Sequence, residues 1–179
     1  MKPSSRREEL LDLAEELLEQ VGIDGFGVGT LAAAATIKPP SLYKHFAGVG
    51  DIYQGLIARG FRRFGAAMAQ APAAPTRAAA LTSFAAIYRA EALARPQLYL
   101  LMTARPLDRA TLEPGAEEEA MAGLISIFGE TQADHTLSRS AWSWAHGIAS
   151  LEIAKRFPPD ADIDAAWQVL VDTLSERLV

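Results

Sequence analysis

Wherever a run in this chain is long enough to show a period, its apolar residues recur three and four positions apart, and nowhere do they alternate one by one. That spacing collects them on one face of an α-helix, whereas a strand needs a period of two. Leu10, Leu13, Ala14, Leu17, Leu18 and Val21 give the first example. There is no valine- or isoleucine-rich alternating run and no internal repeat. The chain is expected to be all-α.

Capping and breaking residues divide the pattern. Ser5-x-x-Glu8 has the form of a capping box, and Gly22 is expected to end the first helix. "VGTLAAAA" (28–35) predicts a short helix whose small residues allow close packing. A break at Thr36-Ile37-Lys38 leads into Pro39-Pro40. Proline has no N–H and suits the first helical turn, so a second short helix is predicted over 39–46. Asp51 can cap a longer helix reaching about Gln70, and "QAPAAPTR" (70–77) is the strongest break in the chain. A helix carrying Leu81, Phe84, Ala85 and Tyr88 follows, then a break at Arg95-Pro96 and the apolar piece "QLYLLM". Three further helices are predicted, over about 116–129, 137–157 and 164–178.

Composition narrows the chemistry. The 179 residues contain no cysteine, which excludes disulfides, thiolate metal sites and cysteine nucleophiles. Acids interrupt every apolar run near the N-terminus, so it does not read as a signal sequence, and no stretch approaches the roughly 20 apolar residues of a membrane span. A cytoplasmic protein is expected. Net charge is −5, yet up to Arg63 eight basic residues face eight acidic ones, and the excess of acid lies entirely beyond. Between Gly25 and Gly50 there is no acid, only Lys38, Lys44 and His45. Glu117-Glu118-Glu119 reads as a solvated helix start favoured by the macrodipole, and no His-x₃-His pair exists, so no metal or other cofactor is expected.

Two short helices joined by a tight turn within about 20 residues form the layout of a helix-turn-helix, whose second helix enters a DNA major groove. Ser41, Tyr43, Lys44 and His45 would face the DNA while Leu42 and Phe46, four apart, face the core. A loop leading into an ordinary core helix would give the same local pattern. The spacing, the acid-free window and the small-residue helix together favour the DNA-binding reading.

Residues 6 to about 64 resemble the N-terminal domain of TetR-type transcriptional regulators, through the leucines from Leu10 to Leu18, Gly22, "LAAAATI" and "SLYKHF". The resemblance implies a three-helix DNA-binding unit, with 28–35 as positioning helix and 39–46 as recognition helix. It implies DNA contacts from Arg6, Thr30, Lys38, Pro39, Pro40, Ser41, Tyr43, Lys44 and His45. The chain departs from that pattern at Thr36, where the family usually has glycine, and at Lys38, where it has serine. Gly29 and Val49 replace basic residues that commonly touch phosphate, so weaker or more salt-sensitive DNA binding is expected.

"ARPQLYLLM" (94–102) and "AWSWAHGIASLEIAKRF" (141–157) resemble the TetR-type regulatory domain named for its Trp-His-Gly signature, with Trp142 and His146-Gly147 on the signature positions. Trp142, His146, Ala149 and Ile153 share a helical stripe; core packing explains any one of them at least as well as a ligand does. The candidate lining of an apolar effector cavity is Phe84, Tyr88, Leu98, Tyr99, Met102, Trp142 and His146. The family implies a homodimer through the last two helices. The expected organisation is a helix-turn-helix domain over 1–50, a connecting helix over 51–70 and a ligand-binding, dimerising domain over 71–179. The expected function is a ligand-responsive transcriptional regulator, a homodimeric repressor released from a palindromic operator by a fairly apolar small molecule. The alternative is a protein of the same fold that binds a small molecule and acts through a protein partner. No phosphate loop, carboxylate pair or activated nucleophile stands at usable spacing, so an enzyme is not expected.

Overall fold

The computed structural model describes residues 5–178, and among them the chain forms nine helices and no strand, as the periodicity required. They are α1 (Arg6–Gly25), α2 (Val28–Ala34), α3 (Pro39–Leu42), α4 (Val49–Ala69), α5 (Arg77–Ala94), α6 (Pro96–Thr103), α7 (Ala116–Phe128), α8 (Gln132–Ile153) and α9 (Ile163–Ser175). Two compact units result. One takes the chain through Gly60 together with Arg95–Ala116; the other takes Phe61–Ala94 and everything from Glu117.

In the first unit Ser5 caps α1 by accepting the Glu8 N–H at 3.3 Å. The break expected at Gly22 exists as a kink, with φ 71° and ψ 173°, and one more helical turn carries the element to Gly25. Leu10, Leu11, Ala14 and Leu18 of α1 are buried, as are Leu31, Leu42, Phe46, Ile52 and Leu56. Each such leucine contributes about 2 kcal/mol by leaving water. Although α6 was expected to belong with the C-terminal part, it packs on α1 in this unit. The Glu19 carboxylate accepts the Gln97 and Leu98 N–H groups at 3.2 and 2.8 Å, capping α6 where Pro96 supplies no donor.

Several boundaries differ from the periodic reading, each for a local reason. The recognition segment is α-helical only over Pro39–Leu42, and the His45 N–H then bonds back three residues to Leu42, so 43–45 are tightened turns. α4 starts at Val49 because Asp51 sits in its first turn and reaches back to the Ala47 N–H at 2.9 Å. α8 starts at Gln132, five residues early, because Thr131 and Asp134 form a reciprocal capping box. It stops at Ile153, where the Lys155 and Arg156 N–H groups bond to the carbonyls of Glu152 and Leu151. α9 likewise ends at Ser175 rather than 178.

The second unit packs α5, α8 and α9 on one another, burying Leu81, Phe84, Tyr88, Ala141, Ala145, Ile148, Trp167 and Leu170. Here too α4 meets α7: a Cβ at Gly65 would stand 2.7 Å from the Glu119 carbonyl oxygen, so glycine is required for that approach.

The turn between α2 and α3 is closed by Thr36 N–H to Ala33 and Ile37 N–H to Ala32, both at 3.0 Å, with Thr36 at φ 56°. This is a Schellman closure with a β-branched residue where glycine costs least. Thr36→Gly is expected to stabilise the protein by about 1 kcal/mol, the left-handed penalty of roughly 1–2 less the extra chain entropy of glycine. The check is thermal melting, where a rise in Tm of roughly 2–4 °C is expected; a fall would show that Thr36 is not strained.

Candidate functional site

The turn that Thr36 closes sets α3 against α2, and α3 begins on two prolines at its first two positions. Neither has an N–H, and the Ser41 N–H already bonds to Lys38 at 2.8 Å, so α3 meets a partner with side chains rather than backbone. Leu42 and Phe46 are buried. Lys38, Pro39, Pro40, Tyr43 and Lys44 are exposed, while Ser41 and His45 are half-buried. Tyr43, at 59 %, is the most exposed large apolar side chain among the described residues.

Ion pairing sorts the basic residues into two groups. Arg59 Nη1 bonds Asp12 at 2.7 Å and its Nη2 bonds Glu8. Burial of the Arg59 guanidinium works to lower its pKa, but the hydrogen bonds with these two acids outweigh it and raise the value. Arg7 pairs with Asp51 at 2.9 Å and Arg6 with Glu9 at 2.8 Å. Lys38 and Lys44, by contrast, have no ion-pair partner among the described residues, and no acid occurs between Gly25 and Gly50. The outward charge of this face therefore comes from two lysines.

Two members of the expected DNA-contact set are already engaged. Arg6 and Glu9 are about half exposed, and such a pair is worth a few tenths of a kcal/mol, so phosphate can replace the acid. The Thr30 hydroxyl donates to the Gly27 carbonyl at 2.9 Å and accepts the Gly27 N–H at 2.8 Å. Its one proton holds the start of α2, which leaves it a lone pair but no donor for a phosphate. Gly29 and Val49 both lie at the surface, and neither carries charge.

The seven expected effector-lining residues fall in both units. Leu98, Tyr99 and Met102 share α6 and are buried in the first. In the second, the rings of Phe84 and Tyr88 pack tilted with centroids 5.5 Å apart, and Tyr88 also meets Phe64 at 5.3 Å and Trp167 at 6.4 Å. Trp142 stacks on His146 at 5.9 Å but is 40 % exposed. The buried stripe of α8 is Ser138, Ala141, Ala145, Ile148 and Ala149, which puts Trp142 and His146 on its flank.

Periodicity gave no sign of the charged cluster in this unit. Arg89 on α5 forks onto Glu152 of α8 at 2.7 and 3.0 Å and also bonds Asp164 of α9, while the Trp167 indole donates to Glu152 at 3.5 Å. Hydrogen bonds to Glu152 and then Asp164 raise the Arg89 pKa. Bidentate geometry fixes direction as well as distance, so this cluster sets how three helices meet. Its one sequence signal is a lone arginine within the apolar run "AAIYRAEALA".

Burial pulls the His146 pKa below its ordinary 6.5, and the Ser150 hydroxyl stands 3.2 Å from Nδ1. The fold therefore prefers the neutral ring. As pH falls below 6.5 the unfolded chain takes up a proton first, so stability is full above that value and declines as pH drops toward the lower folded value. NMR titration of the His146 ring is expected to give a midpoint below 6.5, and His146→Gln to flatten urea stability between pH 7.5 and 5.5. A midpoint at or above 6.5 would contradict this account of the site.

Comparison with known proteins agrees with this geometry. Residues 10–54, from α1 into the start of α4, match the family model of bacterial regulatory proteins of the tetR family. Residues 81–174, more than half of the chain, match that of the tetracyclin repressor-like C-terminal domain. An uncharacterised HTH-type transcriptional regulator, YobS of Bacillus subtilis (strain 168), is 25% identical over 157 residues, covering 86% of this chain and 82% of that protein. A protein of unknown function from Rhodococcus sp. RHA1 superimposes with a TM-score of 0.79 at 27% identity, covering 99% of this chain and 98% of the other. A variant TetR from Acinetobacter baumannii AYE, solved in complex with minocycline, gives a TM-score of 0.72 at 20% identity over 98% of each chain, a likeness of fold. With a helix-turn-helix whose exposed face carries unpaired lysines, and with both halves matched by models of one family, the chain belongs to the TetR family of ligand-responsive, DNA-binding transcriptional regulators.

Proposed function

We propose that this regulator is a homodimeric repressor that leaves a palindromic operator when a fairly apolar small molecule binds its C-terminal part. The observation that carries the DNA assignment to particular residues is the exposed, acid-free face on which Lys38 and Lys44 lack ion-pair partners. On this reading Lys38, Ser41 and Lys44 hold phosphates, Tyr43 and His45 reach the groove, and Pro39 and Pro40 set its approach. Arg6 exchanges Glu9 for a phosphate, and Thr30 contributes by fixing the start of α2. The functional division is a DNA-binding part over 1–50, the connecting helix α4 and a regulatory part from 71. A cytoplasmic location goes with a DNA partner, and no helix among the described residues is long and apolar enough to cross a membrane.

Support for the dimer comes from α8 and α9. Trp144 and Leu151, seven apart on α8, are 38 % and 45 % exposed, and Val169 of α9 is 53 % exposed. Gly147 lies on the Trp144–Leu151 side, and among the described residues nothing beyond its own helical turn comes within 4 Å of where its Cβ would stand. A helix from a second copy fits against that small, apolar flank, and a C₂ pair supplies the two readers a palindrome needs. Phe84 and Tyr88, with Trp142 and His146, are the proposed effector contacts of the regulatory part, in keeping with the Trp-His-Gly pattern. Leu98, Tyr99 and Met102, expected in the same lining, lie buried on α6 in the first unit and are left out of this proposed contact set.

The test starts from a duplex enriched out of a random-sequence pool by the wild-type protein. Its affinity is expected to fall with salt, and Lys44→Ala to flatten the plot of log K against log salt by about 0.9, one phosphate contact. Val49→Lys is expected to steepen it by a similar ~0.9. Salt-insensitive binding, or none, would favour the reading in which the protein acts through a protein partner, for which the uncharged Gly29 and Val49 are the support. Separately, sedimentation of Leu151→Asp is expected to show a monomer where the wild type is a dimer; an unchanged dimer would move the interface off this flank.

A further inference from the structure

Asp51 receives donors from two distant parts of the first unit. Its Oδ2 accepts the N–H of Ala47 at 2.9 Å, just past the recognition segment, and its Oδ1 accepts Arg7 Nη2 at 2.9 Å from the first turn of α1. The same guanidinium lies 5.0 Å over the ring of Phe46, which is 3 % exposed. One carboxylate, one guanidinium and one ring thus join α1, the residues that follow α3 and the start of α4.

The pair is weak as a source of stability, since Arg7 and Asp51 are 38 % and 34 % exposed. What it fixes is direction. A planar guanidinium can hold a carboxylate and cover a ring at once, whereas an ammonium is a point charge without a face. The recognition segment has only four α-helical residues before its tightened turns, too few to maintain an orientation unaided. Its N-terminal end is set by two prolines and by the Thr36 turn. Its far end, where Tyr43 and Lys44 lie, leads through His45 into Phe46 and Ala47, the two residues the pair holds.

We propose that Arg7 and Asp51 are positioning residues for DNA reading. They hold the turn bearing Tyr43 and Lys44 at the angle at which it meets the groove, and Arg7 itself makes no phosphate contact. The inference rests on the assignment of this face to DNA.

Charge alone predicts the opposite sign, which makes the test decisive. Removing an acid beside a DNA-facing surface should tighten binding to a polyanion. Asp51→Asn is expected to weaken binding of the selected duplex about fivefold, the fold-change equivalent of one such ion pair, while leaving binding to a scrambled duplex and the salt slope unchanged. Arg7→Lys, which keeps the charge and loses the fork, is expected to weaken it similarly. Arg7→Gln combined with Asp51→Asn should be no weaker than either alone. Equal or tighter binding by Asp51→Asn overturns the proposal, as does a wild-type affinity in Arg7→Lys beside a salt slope about 0.9 lower in Arg7→Gln. If melting shows Asp51→Asn unfolded at the assay temperature, Arg7→Lys decides. Failure of the wild type to enrich any duplex would overturn the DNA assignment and this proposal together.

Discussion

A stripe of four carboxylates on α1 holds the first unit together. Glu8, Asp12, Glu15 and Glu19 are spaced four, three and four apart, which stacks them along one side of the helix. Glu8 and Asp12 take Arg59 of α4, Glu15 takes Arg95 at 3.1 Å, and Glu19 caps α6. Glu15 is only 6 % exposed, and a carboxylate taken that far from water is tolerable only with a cation or donors aimed at it. The position of α1 against α4 and α6 is thus specified by charge and hydrogen-bond geometry over an apolar packing that would by itself permit sliding.

This arrangement changes the meaning of the overall charge. A chain of net charge −5 is an unpromising ligand for a polyanion if its charges are spread evenly. Here Arg7 and Arg59 in the first unit, and Arg89 in the second, are engaged internally by acids, each within a hydrogen-bonded cluster. The lysines of the turn region are left facing outward. Arginine does the internal work because its fork can satisfy two acceptors at fixed angles, while lysine serves where only a movable charge is wanted.

Much of this was legible in the sequence. The helical period, the paired prolines and "SLYKHF" placed the starts of both helices of the helix-turn-helix, Val28 and Pro39, because those signals are local and each acts within one turn, but α3 ends at Leu42 rather than 46. Helix ends were less legible where the chain closes on itself through side chains: Asp51 reaching back to Ala47, or Thr131 with Asp134, moves a boundary that apolar spacing cannot see. Of the stripe Trp142, His146, Ala149 and Ile153 only Ala149 belongs to the buried seam of α8, which alanines 141, 145 and 149 form with Ser138 and Ile148, while Trp142 and His146 flank it. Least legible were the pairings over long separations, Arg7 with Asp51 and Arg89 with Glu152. Nothing in the spacing of the α1 acids says which of them have distant partners.

The way the two compact units share the chain bears on how the protein is made. The first unit needs α6, and α6 lies beyond a stretch, Phe61–Ala94, that belongs to the other. A ribosome therefore delivers the whole helix-turn-helix, and then α5, before the segment that caps and covers α1 has been synthesised. Until residues 95–98 emerge, Glu15 lacks Arg95, and Glu19 lacks the Gln97 and Leu98 N–H groups that it accepts in the folded unit. Synthesis in vectorial order, which normally lets an N-terminal domain fold early, here withholds its completion. A gene fragment ending after α4 would thus encode the helix-turn-helix without the helix that packs on α1 and is capped by Glu19.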